Sequence, residues 1–364
     1  MRILMLTRYV AMGANSRYRL MQYVPLLENE GHRVEVRPML GEDYLRELYS
    51  RGRKSKALAL KGYWKRLLQL RGLQEFDLVI CDQEFLPYFP AFVESSIARA
   101  CRRLIVDYDD AAFIKYRGFP GLKQRIPALM TAADAVVVGN RYLEEYARQY
   151  SSNVHVIPTV VDTRRYQVRQ DSPTQDHVRL VWIGTPVTAE FLRPIAPGLT
   201  ALREKYPGLQ LRLIGASDRI RDAVPFAEIL EWSEAGEASM LSECDIGLMP
   251  LPDDEFTRGK CGLKLIQYMA AGLPVVGSPV GANCDIISES EDGFLARQPN
   301  EWAAALERLI SSAEMRREFG RKGAAKVARE YSLGRGFRDW INLVESRVLP
   351  DDRKHTETVS PVRS

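Results

Sequence analysis

The chain has 364 residues, 46% of them hydrophobic and 27% charged, with a formal net charge of +4. That length suits two domains, and that balance excludes disordered, collagen-like and membrane-embedded chains. Five cysteines (Cys81, Cys101, Cys244, Cys261, Cys284) and four histidines are too scattered for a disulfide framework or a zinc site, so no metal is expected and a reducing cytoplasm fits.

Ile3 to Leu6 is an apolar run too short for a secretory signal and reads as a first strand. A loop with Ser16, Arg17 and Arg19 follows, then a helix with Leu20, Val24 and Leu27 inward, then a second strand at Val34–Val36. This order is a βαβ unit. Ser and two Arg at a helix entry can hold an acceptor phosphate, or Ser16 can be a plain N-cap beside solvated arginines.

From Arg46 to Arg71 the composition shifts. Nine Lys or Arg (Arg46, Arg51, Arg53, Lys54, Lys56, Lys61, Lys65, Arg66, Arg71) face one acid, Glu47, and Leu58, Leu60, Tyr63, Trp64, Leu67, Leu68 and Leu70 are interleaved. A basic helix with aromatics suits an anionic membrane surface. The alternative is an outer helix packed on the sheet by its leucines. Nucleic acid is not expected, since no recognised motif accompanies the charge.

Strands follow at Asp77–Cys81, Leu104–Val106 and Ala135–Val138, ending in polar residues that include Asp107, Asp109, Asp110 and Asn140. Carboxyl ends of strands face ligands in open α/β sheets. Residues 1–163 are read as a first domain, 164–178 as a polar linker. Strands at Arg179–Ile183, Leu209–Ile214, Glu228–Glu231, Asp245–Met249 and Pro274–Val276 build a second domain over 179–334. Gly184-Thr185 is a strand-end turn apt for backbone approach to phosphate. Trp232 can stack on a nucleobase or fill core. A last helix spans 335–348, and 349–364 is expected to be a disordered tail.

The segment 258–281, RGKCGLKLIQYMAAGLPVVGSPVG, reads as turn, helix, stop and buried strand. With a helix starting near Lys260, the residues Lys260, Lys264 and Gln267 share a face. Two cations at a helix N-terminus oppose its dipole unless an anion lies between them, which points to a phosphate or pyrophosphate pocket; the alternative is a solvated basic face.

This stretch resembles the donor-binding segment of the group 1 (family 4) retaining glycosyltransferases of the GT-B fold. Residues 267–278 stand for their "E-A-M-A-x-G-x-P-V-V-A-S", Gly281 and Asp285 for "G-x-x-E", and residues 292–295 for "N-G-F-L". Two departures stand out. The family's paired glutamates are Gly259 and Gln267 here, and its Arg and Lys after the strand 179–183 are missing. The resemblance implies an α/β architecture of two Rossmann-like domains facing across a cleft. It implies Lys260 and Lys264 as the groups that stabilise a leaving diphosphate, and Asp109 or Asp107 at the place of a sugar-contacting His. Donor contacts fall on Gly184, Thr185, Trp232, Arg258, Cys261, Gly262, Leu263 and Gln267, with Gln267 on the ribose. Ser16, Arg17 and Arg19 face the acceptor.

The implied activity is transfer of a hexose-type sugar from a nucleoside diphosphate sugar to a hydroxyl, with retention, without metal or other cofactor. A lipid-linked glycan acceptor in cell-surface polysaccharide or glycolipid synthesis, met at the inner face of the cytoplasmic membrane, is the expected setting. Loss of both motif glutamates supports a rival, a non-catalytic scaffold or sugar-nucleotide sensor. Another nucleotide-dependent reaction on the same fold, such as epimerisation, is a third reading.

Overall fold

The computed structural model describes residues 1–51, 55–168 and 177–345. Two six-stranded sheets divide the chain, and every strand pair is parallel. The first sheet contains β1 (Arg2–Leu6), β2 (Arg33–Val36), β3 (Leu78–Asp82), β4 (Leu104–Tyr108), β5 (Ala135–Val138) and β6 (Val154–Val156), in the order β2-β1-β3-β4-β5-β6. The second contains β7 (Arg179–Ile183), β8 (Gln210–Ile214), β9 (Glu228–Leu230), β10 (Ile246–Met249), β11 (Val275–Gly277) and β12 (Gly293–Leu295), in the order β12-β11-β10-β7-β8-β9.

Parallel sheets are covered by helices on both faces, so their strands read as unbroken apolar runs. Residues 3–6 and 135–138 are such runs and are at most 1% exposed. One side of the first sheet packs Leu4, Val79 and Val106 against the helices Ala91–Ala100 and Arg125–Ala132. The other side packs Ile3, Met5 and Ile105 with Trp340, Leu343 and Val344 of the helix Leu333–Glu345. That helix therefore crosses back from the second domain onto the first, and Trp340 sits 5.9 Å from the Tyr23 ring.

Residues 169–176 of the expected linker, Arg53 and Lys54 of the basic stretch, and the expected tail at 349–364 lie outside the described residues.

Candidate active site

In each sheet the strand order reverses once, between β1 and β3 and between β7 and β10. Ligands of open α/β sheets sit beyond the carboxyl ends at such points. Residues at or beyond the carboxyl ends of strands in both sheets, among them Asn15, Asp109, Gly184 and Met249, line one shared cleft of about 1360 Å³ between the domains.

The floor of the second-domain side is the helix Leu263–Ala270. Gly262 precedes it with φ +67°, a left-handed conformation that glycine adopts without a Cβ penalty. This left-handed residue stops the helix from reaching back to Lys260. The expected three-residue face is corrected accordingly: Lys264 and Gln267 share the helix, and Lys260 sits in the loop before it. The first N–H groups of the helix have no intrahelical acceptor and point into the N-terminal space.

Lys264 stands at that helix start, with its ammonium 4.1 Å from the centre of the Trp182 ring. Among the described residues no carboxylate pairs with it. Burial pushes its pKa well below the usual lysine range, and the charge of Lys260 pushes the same way. Part of the side chain still faces the cleft. Gly184 makes room for it: a Cβ there would lie 2.7 Å from Lys264 Nζ and 2.6 Å from Trp182 Cη2. The Gly184 N–H is already donated to Ile214 O, so this turn contributes space, with the Thr185 and Thr188 hydroxyls on the cleft wall.

Lys260 reaches across to the first domain, 3.3 Å from Asp110. Burial pushes the Asp110 carboxyl up to about 6 despite that cation. Asp109 lines the cleft, and its Oδ1 accepts from Gln83 Nε2 at 2.8 Å and from the Asn15 amide. Cys261 donates its thiol to Asp109 O at 3.0 Å, and burial holds that thiol protonated.

Ser16, Arg17 and Arg19 differ from the expected free acceptor contacts, because protein groups already hold them. Ser16 donates to Asp82 at 2.7 Å, and Arg19 grips Asp107 through two nitrogens. Arg17 lies 3.4 Å from Glu237, a second-domain carboxylate only 1% exposed. Only Arg19 of the three contributes to the cleft lining. Glu237 also accepts from the Tyr18 hydroxyl and, at 3.0 Å, from Trp232 Nε1. Gln267 Nε2 donates to Tyr18 at 3.2 Å and to Tyr166 at 3.3 Å. Trp232 is half-buried, with the Arg17 guanidinium over its ring at 5.2 Å and the rest of its surface in the cleft. These residues form a buried polar latch between the domains. Nothing in the sequence singled out Glu237 or Tyr18.

A second latch closes beside Lys260. Asn140, at the carboxyl end of β5, caps the next helix through Oδ1 and donates Nδ2 to the carbonyls of Gly259 and Lys260, each at 3.0 Å. Gly259 packs so tightly on Ala111 that a Cβ would sit 2.7 Å from its backbone nitrogen. A glutamate at this place would force the domains apart, which accounts physically for glycine there. Arg258 is not brought to the cleft: its guanidinium is exposed and bonds Asp253 at 2.7 Å, while its carbonyl faces the latch.

Two parallel six-stranded sheets facing across a cleft define a GT-B architecture. The chain superposes on sucrose-phosphate synthase from Thermosynechococcus elongatus with a TM-score of 0.70 and 15% identity, covering 94% of this chain and 98% of that one. Anabaena Alr3699/HepE in complex with UDP-glucose gives 0.70 at 13% identity, covering 95% and 100%. Within the fold, residues 177–312 match the family "Glycosyl transferases group 1", in agreement with the group 1 resemblance carried by the segment around Lys264. Trehalose synthase of Pyrococcus horikoshii is 26% identical over 159 residues, 40% of this chain. The chain spans between 21% and 38% of the length of the curated relatives it matches.

Proposed function

We propose that this protein is a glycosyltransferase that moves a hexose-type sugar from a nucleoside diphosphate sugar to a hydroxyl acceptor with retention of anomeric configuration. The observation that carries the reading is Lys264. It is an ammonium without a carboxylate partner among the described residues, set at a helix N-terminus at the switch point of the second sheet. A half-buried cation without a carboxylate partner, at a helix N-terminus, is stabilised by an anion, and a leaving diphosphate is the anion this reaction generates. The UDP-glucose complex of HepE supports a donor of this class. Trp232 and Gln267 then face the nucleoside and Asp109 the transferred sugar. Asn15 and Gln83 both donate to Asp109 Oδ1 and so hold the carboxylate in place.

The reading includes no metal. Asp107 is gripped by Arg19, Asp110 lies against Lys260, and Asp109 holds two amides, so the acidic cluster is engaged within the protein. It also includes a lipid-linked acceptor in cell-surface polysaccharide or glycolipid synthesis, reached at the inner membrane face through the basic stretch. No helix among the described residues is long and apolar enough to cross a membrane.

One observation favours the rival scaffold reading: glycine at 259 and glutamine at 267 replace both motif carboxylates, and Gln267 is bonded to two tyrosines. Incubating the purified protein with a panel of nucleoside diphosphate sugars separates the two. Donor consumption with a product of retained configuration by NMR supports the transferase; donor binding without turnover of any of them supports the sensor.

A further inference from the structure

We propose that the outward face of the helix Lys56–Gln69 is a docking surface for an anionic lipid bilayer. This deepens the membrane reading above and rests on it. The helix has a packed inner face and an outer face that is also apolar. Leu58, Ala59 and Tyr63 of the inner face pack against the cluster of Met39, Leu40, Tyr44 and Leu45, and polar groups fasten it further. Arg66 is 1% exposed and donates to Arg37 O and Thr7 O; Gln69 donates to Pro38 O at 3.1 Å, and Tyr63 to Pro87 O at 2.7 Å. Gly62 presses this face down, since a Cβ there would lie 2.6 Å from Leu40 Cδ2.

The outer face holds what a soluble helix normally hides. Leu60 is 61% exposed, Trp64 65%, Leu67 41% and Leu68 56%. Positions 60, 64, 67 and 68 are four, three and one apart, so they form one stripe. The alternative of an outer helix packed by its leucines holds for Leu58 and Leu70, which pack inward, while Leu60, Leu67 and Leu68 face water. Past the helix end the apolar surface continues into a hollow of about 330 Å³ lined by Leu70, Leu73, Phe92, Val93 and Ile97, where Phe92 is 70% exposed.

Charge selects the occupant. Lys56, Lys61, Lys65 and Arg71 are exposed beside the stripe, and the helix contains no acid. An interfacial helix combines such an apolar stripe with flanking cations that meet anionic headgroups. A second copy of the chain would bring like charges face to face. Nucleic acid would leave the leucines and Trp64 without a partner.

Flotation with phosphatidylglycerol–phosphatidylcholine vesicles, against phosphatidylcholine alone, tests this. The wild type should float with the anionic vesicles. Replacing Leu60, Trp64, Leu67 and Leu68 by Ser should weaken binding by roughly 100-fold or more, as expected when several large apolar side chains no longer leave water. Lys61→Gln and Lys65→Gln should each cost about fivefold. Donor consumption by these variants, measured without vesicles, reports whether they are folded. If the serine variant floats as the wild type does, the face is wrong while the membrane reading stands. Failure of the wild type to float, or apolar-stripe-dependent dimerisation without flotation, overturns both, and the transferase reading is then judged by donor turnover alone.

Discussion

Replacing Lys264 by Met keeps most of the packing over Trp182 and removes the ammonium at the helix start. Two unit charges about 4 Å apart at an effective dielectric near 20 attract by about 4 kcal/mol. Because folding has already partly desolvated Lys264, much of that attraction is available to an arriving diphosphate. The barrier should therefore rise by about 3 kcal/mol, a roughly 100-fold or greater fall in transfer, the scale seen when one charge-stabilising donor is removed. The free enzyme should respond in the opposite sense. Lys264 has a pKa below its unfolded value, so the unfolded chain binds that proton more tightly and the wild type carries a penalty. This penalty is full below the depressed pKa and disappears as pH rises toward about 10.4. The Met variant should thus melt higher at neutral pH, by about 1 kcal/mol, while losing activity. A bound diphosphate favours the charged form and raises the pKa again, so at pH above the depressed pKa wild-type binding should take up protons and weaken as pH rises. Calorimetry in buffers of different ionisation enthalpy measures that uptake. Wild-type turnover in the variant, or identical proton uptake, would refute the role given to Lys264.

Other outcomes follow from the same geometry. Gln267→Ala should raise the Michaelis constant for the donor more than it lowers turnover, because a nucleoside contact is made in ground and transition states alike; an unchanged Michaelis constant with slow turnover counts against that contact. Asn140→Ala loses a helix cap and the Gly259 and Lys260 carbonyl bonds, which should destabilise the chain by about 1–2 kcal/mol and widen the domain separation seen by small-angle scattering; an unaltered scattering profile would mean the latch does not hold the domains. Activity should persist in EDTA, and loss restored by Mg²⁺ or Mn²⁺ would make the Asp107–Asp110 cluster a metal site.

Much of the architecture was legible because burial on both faces of a parallel sheet leaves a local mark: Ile3–Leu6 and Ala135–Val138 announce themselves as strands, and Gly272 with Pro274 ends the helix at 270. β12 was missed as a strand, since three residues beginning with Gly at a sheet edge carry too little pattern. The segment around Lys264 was recognisable from order and spacing alone. What the sequence determined by itself was the two-domain α/β class, the family likeness of the segment around Lys264 and the basic character of residues 46–71. Only the tertiary structure decided which cations are free. Arg17, Arg19 and Lys260 meet Glu237, Asp107 and Asp110 from distant parts of the chain, while Lys264 meets no carboxylate among the described residues. It likewise turned Arg66 inward and Leu60, Trp64, Leu67 and Leu68 outward. Periodicity groups residues on a helix face but does not say which face meets the protein, because that choice rests on carbonyls far away in sequence, here Thr7 and Arg37.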